Sequence, residues 1–312
     1  MRHVLVVHYS QTGQLNKIVE RVTGPLCDQD QIQVDFLPLQ MQDEFPFPWP
    51  FWQFFDIFPE TVLQKPQPLK PFVCDTTKKY DLVILAYQVW FLSPSLPMTS
   101  FLATPQAEQL LKGTPVMTLI GCRNMWLMAQ EKMKQRLNQL GAVLVDNVAL
   151  TDACGSAASF LATPMWMFTG KRQAYSWLPK AGVREQDIEN AKRFGVAIKE
   201  RMLANAEPIR EPMLCGLGAV SINEKLIASE RIGNRSFQVW SRLLYRLGPP
   251  KSFARGLGLR IYLVFLLLMI VTVVPVTALL KKLLSPLMRK KVAQQKAELA
   301  LPSGELKYKE SL

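Results

Sequence analysis

The sequence predicts an α/β protein: a doubly wound sheet of five parallel strands in the order 2-1-3-4-5, followed by a C-terminal membrane-associated helical segment. Three observations predict it. Short, uniformly apolar runs of the kind buried on both faces of a sheet alternate with stretches whose apolar residues recur at helical spacing. Cap and turn residues punctuate the junctions. Near the C-terminus an uncharged stretch of membrane-spanning length is bracketed by basic residues.

Val4-Leu5-Val6-Val7 is the first buried strand, and Leu15, Ile18, Val19 and Val22 then mark a helix that Gly24-Pro25 should stop. Ile32 to Phe36 alternates as a second strand. Leu82 to Leu85 and Val116 to Ile120 are the third and fourth. Thr104-Pro105 reads as an N-cap with proline at the first helical position, and Gly113 closes that helix. Trp126, Ala129, Met133, Leu137 and Leu140 form the next stripe, ending at Gly141. Val143-Leu144-Val145 opens a fifth strand, and Ile188, Ala191, Gly195, Ile198 and Met202 a fifth helix. Alternation of this kind gives a parallel sheet covered on both faces, whose ligands bind beyond the carboxyl ends of the strands.

The charge is unevenly spread. Of a net +12, residues 242–312 hold 13 Lys/Arg against 3 Asp/Glu. A basic excess around an apolar run fits anionic lipid head groups and argues against a nucleic-acid partner, which needs a basic stripe on a folded domain. The five cysteines are scattered, with no C-x-x-C pair, which predicts a reduced compartment and no metal site. Met1-Arg2-His3 leads straight into a strand, so no signal peptide is expected and the domain should stay in the cytoplasm.

Three loops leave the functional edge. The loop after strand one, Ser10-Gln11-Thr12-Gly13-Gln14, opens onto a helix N-terminus and supplies amides and hydroxyls for a dianionic phosphate. It resembles the S-x-T-G-x-T phosphate loop of flavodoxins and flavodoxin-like quinone reductases, matching at Ser10, Thr12 and Gly13, with Leu15 where a hydroxyl is usual. The resemblance implies FMN. After strand three, Tyr87-Gln88-Val89-Trp90-Phe91-Leu92-Ser93-Pro94 is similar to the W-F-x-x-P loop that lies along the flavin ring, so Trp90 and Phe91 become its apolar walls, with Tyr87, Gln88 and Ser93 beside them. After strand four come Gly121-Cys122-Arg123-Asn124. Arg123 is the leading electrostatic candidate, because a reduced flavin gathers negative charge. His8, at the end of strand one, is the acid–base candidate; Cys122 has no partner that would make it a nucleophile.

Two insertions leave the same edge. Phe45 to Phe58 is packed with aromatics, and its alternating prolines bar a regular helix in its first half; Phe160 to Phe168 is similar. They wall a pocket for a hydrophobic substrate or dip into the membrane interface, and both readings stand. Ile261 to Leu280 carries no charge and reaches across about 30 Å of hydrocarbon. Pro275 divides it, and basic residues flank it on both sides, so a single span and a re-entrant hairpin are both open. Phe237, Trp240, Leu243, Leu244 and Leu247 interleave with Arg242 and Arg246 as in a surface-lying amphipathic helix. The expected organisation is 1–205 FMN domain, 206–258 basic juxtamembrane region, 259–282 membrane segment and 283–312 basic tail.

The string His8 to Leu15, the Phe-Pro block, Trp90 to Ser95 and Gly121 to Trp126 together resemble the dialkylresorcinol condensing enzyme family over residues 1–205. That resemblance implies an FMN-dependent step that aromatises a dialkyl cyclohexanedione or cyclohexenone, working with a ketosynthase-type partner enzyme. The alternatives are a membrane-bound NAD(P)H:quinone reductase and a non-catalytic scaffold. A homodimer is expected by analogy with flavodoxin-like reductases.

Overall fold

The computed structural model describes residues 1–304 except 29, 153, 155, 205 and 206. The side chains of 156, 157, 160 and 273–288, those of Pro275, Lys281 and Lys282 among them, lie outside the described set, as does 305–312.

The chain runs β1 (Arg2–His8), α1 (Gln14–Cys27), β2 (Ile32–Pro38), α2 (Phe51–Asp56), α3 (Phe58–Val62), β3 (Leu82–Tyr87), β4 (Val89–Trp90), β5 (Ser93–Pro94), α4 (Leu96–Leu102), α5 (Pro105–Leu111), β6 (Pro115–Cys122), α6 (Leu127–Gln139) and β7 (Val143–Thr151). It continues through α7 (Ser156–Thr169), α8 (Glu185–Asn190), α9 (Lys192–Ala204), α10 (Glu224–Arg246) and α11 (Phe253–Ala300). The main sheet is five-stranded and parallel, in the order β2-β1-β3-β6-β7. This is the expected topology. Strands β4 and β5 form a separate two-residue hairpin.

Pleating divides each central strand between two cores. Val4 and Val6 of β1 face α1, α8 and α9, with Ile18, Phe194 and Ile198 buried beside them. Leu5 and Val7 face α4, α5 and α6, with Phe101, Leu111 and Met133. Each such side chain removed from water contributes about 1.5–3 kcal/mol before entropy is counted, which is why the central strands are uniformly apolar.

Three local expectations are corrected. Gly24-Pro25 does not stop α1, which continues to Cys27 with Val22, Pro25 and Leu26 buried. Packing against α9 overrides the two helix breakers: a Cβ on Gly195 would lie 2.0 Å from the Val22 carbonyl oxygen, so the helices meet backbone to backbone. The fifth helix is two, α8 and α9, sharing the buried stripe Ile188, Ala191, Phe194, Ile198 and Met202. Packing also does not end at residue 205. Ile209, Leu214 and Ala219 are buried in the first core, and Ile227 of α10 in the second. On α10, Trp240 and Leu244 pack inward, whereas Leu243 and Leu247 stay exposed.

The Thr104 cap forms as the sequence indicates, its hydroxyl accepting the Ala107 N–H at 3.1 Å, and Gly113 and Gly141 take the left-handed backbone that ends α5 and α6. The proline-rich half of the first insertion is non-helical up to Pro50, where α2 begins.

Candidate functional site

The site lies at the carboxyl edge of the sheet between β1 and β3, where the chain, after running out to β2, crosses back to β3 and reverses its winding direction. The first loop turns on Gly13, whose φ of 78° sets the start of α1; Gly13 itself offers no capping side chain, and Thr12 Oγ1 accepts the Gln14 N–H at a long 3.4 Å. The hydroxyl oxygen of Ser10 is buried without a hydrogen-bond partner. A helix N-terminus with an unsatisfied buried hydroxyl next to it is the electrostatic environment an anion relieves.

Gln11 joins the three parts of the site. Its N–H donates to Gln88 Oε1 at 3.1 Å, its Nε2 donates to the Phe45 and Pro46 carbonyls at 3.1 and 2.8 Å, and its Oε1 accepts the Tyr9 hydroxyl at 2.6 Å. Gln14 holds the segment before α8 in the same way: Oε1 accepts Val183 N–H at 2.9 Å and Nε2 donates to Val183 O at 3.1 Å. Gly182 is required there, since a Cβ would lie 2.7 Å from Gln14 Oε1 and 2.8 Å from the Trp166 ring.

The β4–β5 turn places both Phe91 (φ 48°) and Leu92 (φ 57°) in the left-handed region, the geometry of a two-residue hairpin, here adopted without glycine. Its consequence is a division of the two aromatics. Trp90 lines the cavity and meets Tyr9, Phe45 and Trp49 edge-on at 5.4–5.9 Å. Phe91 turns out to Phe54 and Phe58, at 4.7 and 5.1 Å.

A cleft open to solvent, with about 130 Å³ of cavity volume, lies between these loops. Of the residues singled out in the sequence, Gln11, Thr12, Gln14, Gln88, Trp90, Gly121, Cys122 and Arg123 line it. Arg123 is largely buried and donates from Nε to Ser159 Oγ at 2.5 Å; burial lowers its pKa, while Asp152 pulls it back up, and it stays a cation. Burial raises the Cys122 thiol well above its usual range, so it remains protonated and is no nucleophile.

Others point elsewhere. Tyr87 is buried in the second core and donates to Gln130 Oε1 at 2.7 Å. Ser93 accepts from Lys132 at 2.7 Å behind the hairpin. His8 pairs with Asn16 at 3.2 Å and meets Phe36 edge-on; burial lowers its pKa, the Asn16 bond opposing this. Phe91, Asn124, Ser10 and Gly13 are likewise not among the residues that line the cavity.

The lining also includes residues that sequence reading did not single out individually. Trp49, Phe54, Trp166 and Met167 belong to the two aromatic insertions, so their signal was composition. Asp152 had a positional signal, as the first residue after β7: its carboxylate accepts from Gly182 N–H at 3.1 Å and Cys154 N–H at 2.7 Å.

These residues fit FMN. The start of α1 with its orphaned Ser10 hydroxyl suits the phosphate, and an open cleft lined by the Trp49, Trp90 and Trp166 rings together with the Gln11, Gln14 and Gln88 amides suits a flat ring with polar edges.

No family model and no curated protein matches the sequence. Solved structures do show similarity. A flavoprotein from Lactobacillus acidophilus in complex with FMN has 14% identity and a TM-score of 0.40, covering 48% of this chain and 93% of that one. A flavodoxin from the domain Archaea has 10% identity and a TM-score of 0.36, covering 65% and 99%. A WrbA-like flavodoxin from Agrobacterium tumefaciens has 11% identity and a TM-score of 0.35, with the same coverage. Strand order, not these faint likenesses, establishes the architecture. The fold is flavodoxin-like.

Proposed function

We propose that this chain is an FMN-dependent oxidoreductase acting at a membrane surface on a hydrophobic ring substrate. One observation carries the reading: the buried, unpartnered Ser10 hydroxyl just before the start of α1, in the loop that also walls the cavity beside Trp90. Bound FMN supplies a two-electron acceptor or donor at that wall. Ser10, Thr12 and the first amides of α1 would hold its phosphate. Trp90 would line its ring, and Gln88, already held by the Gln11 N–H, would present its amide to the ring edge. Arg123, a half-buried cation in the same cleft, would stabilise negative charge that develops there.

Trp49, Phe54, Trp166 and Met167 make the rest of the wall apolar, which supports a substrate carrying hydrocarbon. Within that class, the resemblance to dialkylresorcinol condensing enzymes favours aromatisation of a dialkyl cyclohexanedione or cyclohexenone, the ring losing a hydride and a proton. A ketosynthase-type partner would supply such a ring. The helical stretch Phe253–Thr272, 20 residues long and apolar enough to cross a membrane, supports membrane association.

The test is spectroscopic. Detergent-purified full-length protein is expected to be yellow and to release FMN on denaturation. Protein that stays colourless when saturated with FMN overturns the reading. In stopped flow, anaerobic bleaching by a dialkyl dihydroresorcinol supports aromatisation, whereas bleaching by NADPH alone selects a quinone reductase.

A further inference from the structure

We infer that the apolar part of α11 is a re-entrant anchor, entering and leaving the same face of a lipid bilayer, so that both basic flanks and the α/β domain share one side. This rests on the membrane association proposed above and decides its topology.

Both ends of α11 are bound to the same domain. At its start, Arg255 is fully buried against Glu60 and Asp56, at 2.6 and 2.8 Å. Tyr262 stacks on Phe58 with ring centroids 4.6 Å apart. At its end, Lys296 pairs with Glu224 at 3.0 Å, and Leu299 is buried in the sheet's second core. Just beyond, the Ser303 hydroxyl donates to Asp146 at 2.8 Å and accepts the Asn147 N–H at 2.6 Å, inside β7.

Helix lengths show that α11 cannot run straight between these two contacts. Gly258 lies against Leu244 of α10, and Lys296 against Glu224 of the same helix. A straight helix from Gly258 to Lys296 would advance about 57 Å, whereas Leu244 and Glu224 are about 30 Å apart along α10 at roughly 1.5 Å per residue. The side chains involved cannot bridge the difference. A simple span would instead carry the residues after 289 about 30 Å away, to the far side of the hydrocarbon. Ser303 would have to abandon the buried Asp146 carboxylate, and Leu299 its core.

The occupant of the excursion is lipid. Val264, Leu267, Leu268 and Val271 are 59–71% exposed, and no acidic or basic residue falls between Ile261 and Leu280. Arg289, Lys290 and Lys291 then stand on the same side as the start of the helix, where anionic head groups and the positive-inside bias both favour them. Trp52 of α2, half exposed, lies under Arg260 of α11 at 5.0 Å, while Phe54 of the same short helix lines the cavity. The start of the anchor therefore packs beside the same insertion that supplies Phe54 to the cavity.

Full-length protein carrying an N-terminal and a C-terminal epitope tag, expressed in a bacterial inner membrane, tests this. It is expected to float with the membranes, to keep both tags when protease is added to intact spheroplasts, and to lose both on lysis. Loss of the C-terminal tag alone from intact spheroplasts overturns the inference but leaves membrane association standing. Failure to float overturns membrane association itself, and the anchor with it. A Glu224→Cys/Lys296→Cys pair treated with a short bismaleimide in floated membranes should give an intramolecular cross-link absent from either single variant; no cross-link there counts against the returning chain.

Discussion

Glu230, on α10, accepts the backbone N–H of Met128 at 2.7 Å, so a carboxylate 102 residues away in sequence caps the start of α6. The other carboxylate oxygen is buried without a hydrogen-bond partner. Burial dominates its ionisation and pushes the pKa up to about 7, with the α6 amides and Lys132 opposing. Lys132, beside it, is driven down to about 8, also by burial.

A raised carboxyl pKa means that the folded state holds the proton more tightly than the unfolded one. Its contribution is fully present below the unfolded value near 4.5 and is lost as pH rises through about 7. Glu230→Gln keeps an acceptor for Met128 and cannot ionise, so it should flatten the fall in stability between pH 5 and 7.5, by up to about 3 kcal/mol. Urea denaturation at a series of pH values reads this; an unchanged slope refutes it.

Arg255 is enclosed by Glu60 and Asp56 and by the Asp56 carbonyl. Removing the guanidinium strands the buried Glu60 carboxylate. Arg255→Met should cost about 3–5 kcal/mol, and adding Glu60→Gln should restore much of it. A double variant no more stable than the single one would mean that the pair is not coupled.

Two helical glycines make opposite predictions. Gly195→Ala places a methyl against the Val22 carbonyl and should destabilise by more than about 2 kcal/mol, because neither backbone can yield. A methyl added at Gly24 would meet nothing within 4 Å, and the residue sits within α1, so Gly24→Ala should stabilise by about 0.5–1 kcal/mol. Melting temperatures of the two variants should move in opposite directions.

Ser10→Ala deletes the hydroxyl assigned to the phosphate. FMN affinity should fall about 10-fold or more, as for a hydrogen bond to a charged group. Riboflavin, which lacks the phosphate, should bind both proteins equally well. Equal losses for the two flavins would place the effect in folding and not in phosphate recognition.

Much of this molecule is legible in local sequence. Val4 to Val7, Leu82 to Leu85 and Val116 to Ile120 are apolar on both faces because both faces are covered, and that alternation with helical stripes determines a parallel doubly wound sheet and the edge where its loops meet. Ser10, Thr12, Gly13, Trp90 and Arg123 stand in those loops. What local pattern cannot contain is the direction of neighbouring side chains and the packing of distant segments. Phe91 and Trp90 read alike, yet a left-handed turn sends one to Phe58 and the other to the cavity. Gly24-Pro25 reads as a stop, but burial against Gly195 carries the helix on. Charge and hydropathy determine that the C-terminal segment suits lipid; only Ser303 on Asp146 and Lys296 on Glu224 decide that its far end comes back. Periodicity reports what a residue's own helix or strand must bury, and the partner that covers it is chosen by the tertiary structure.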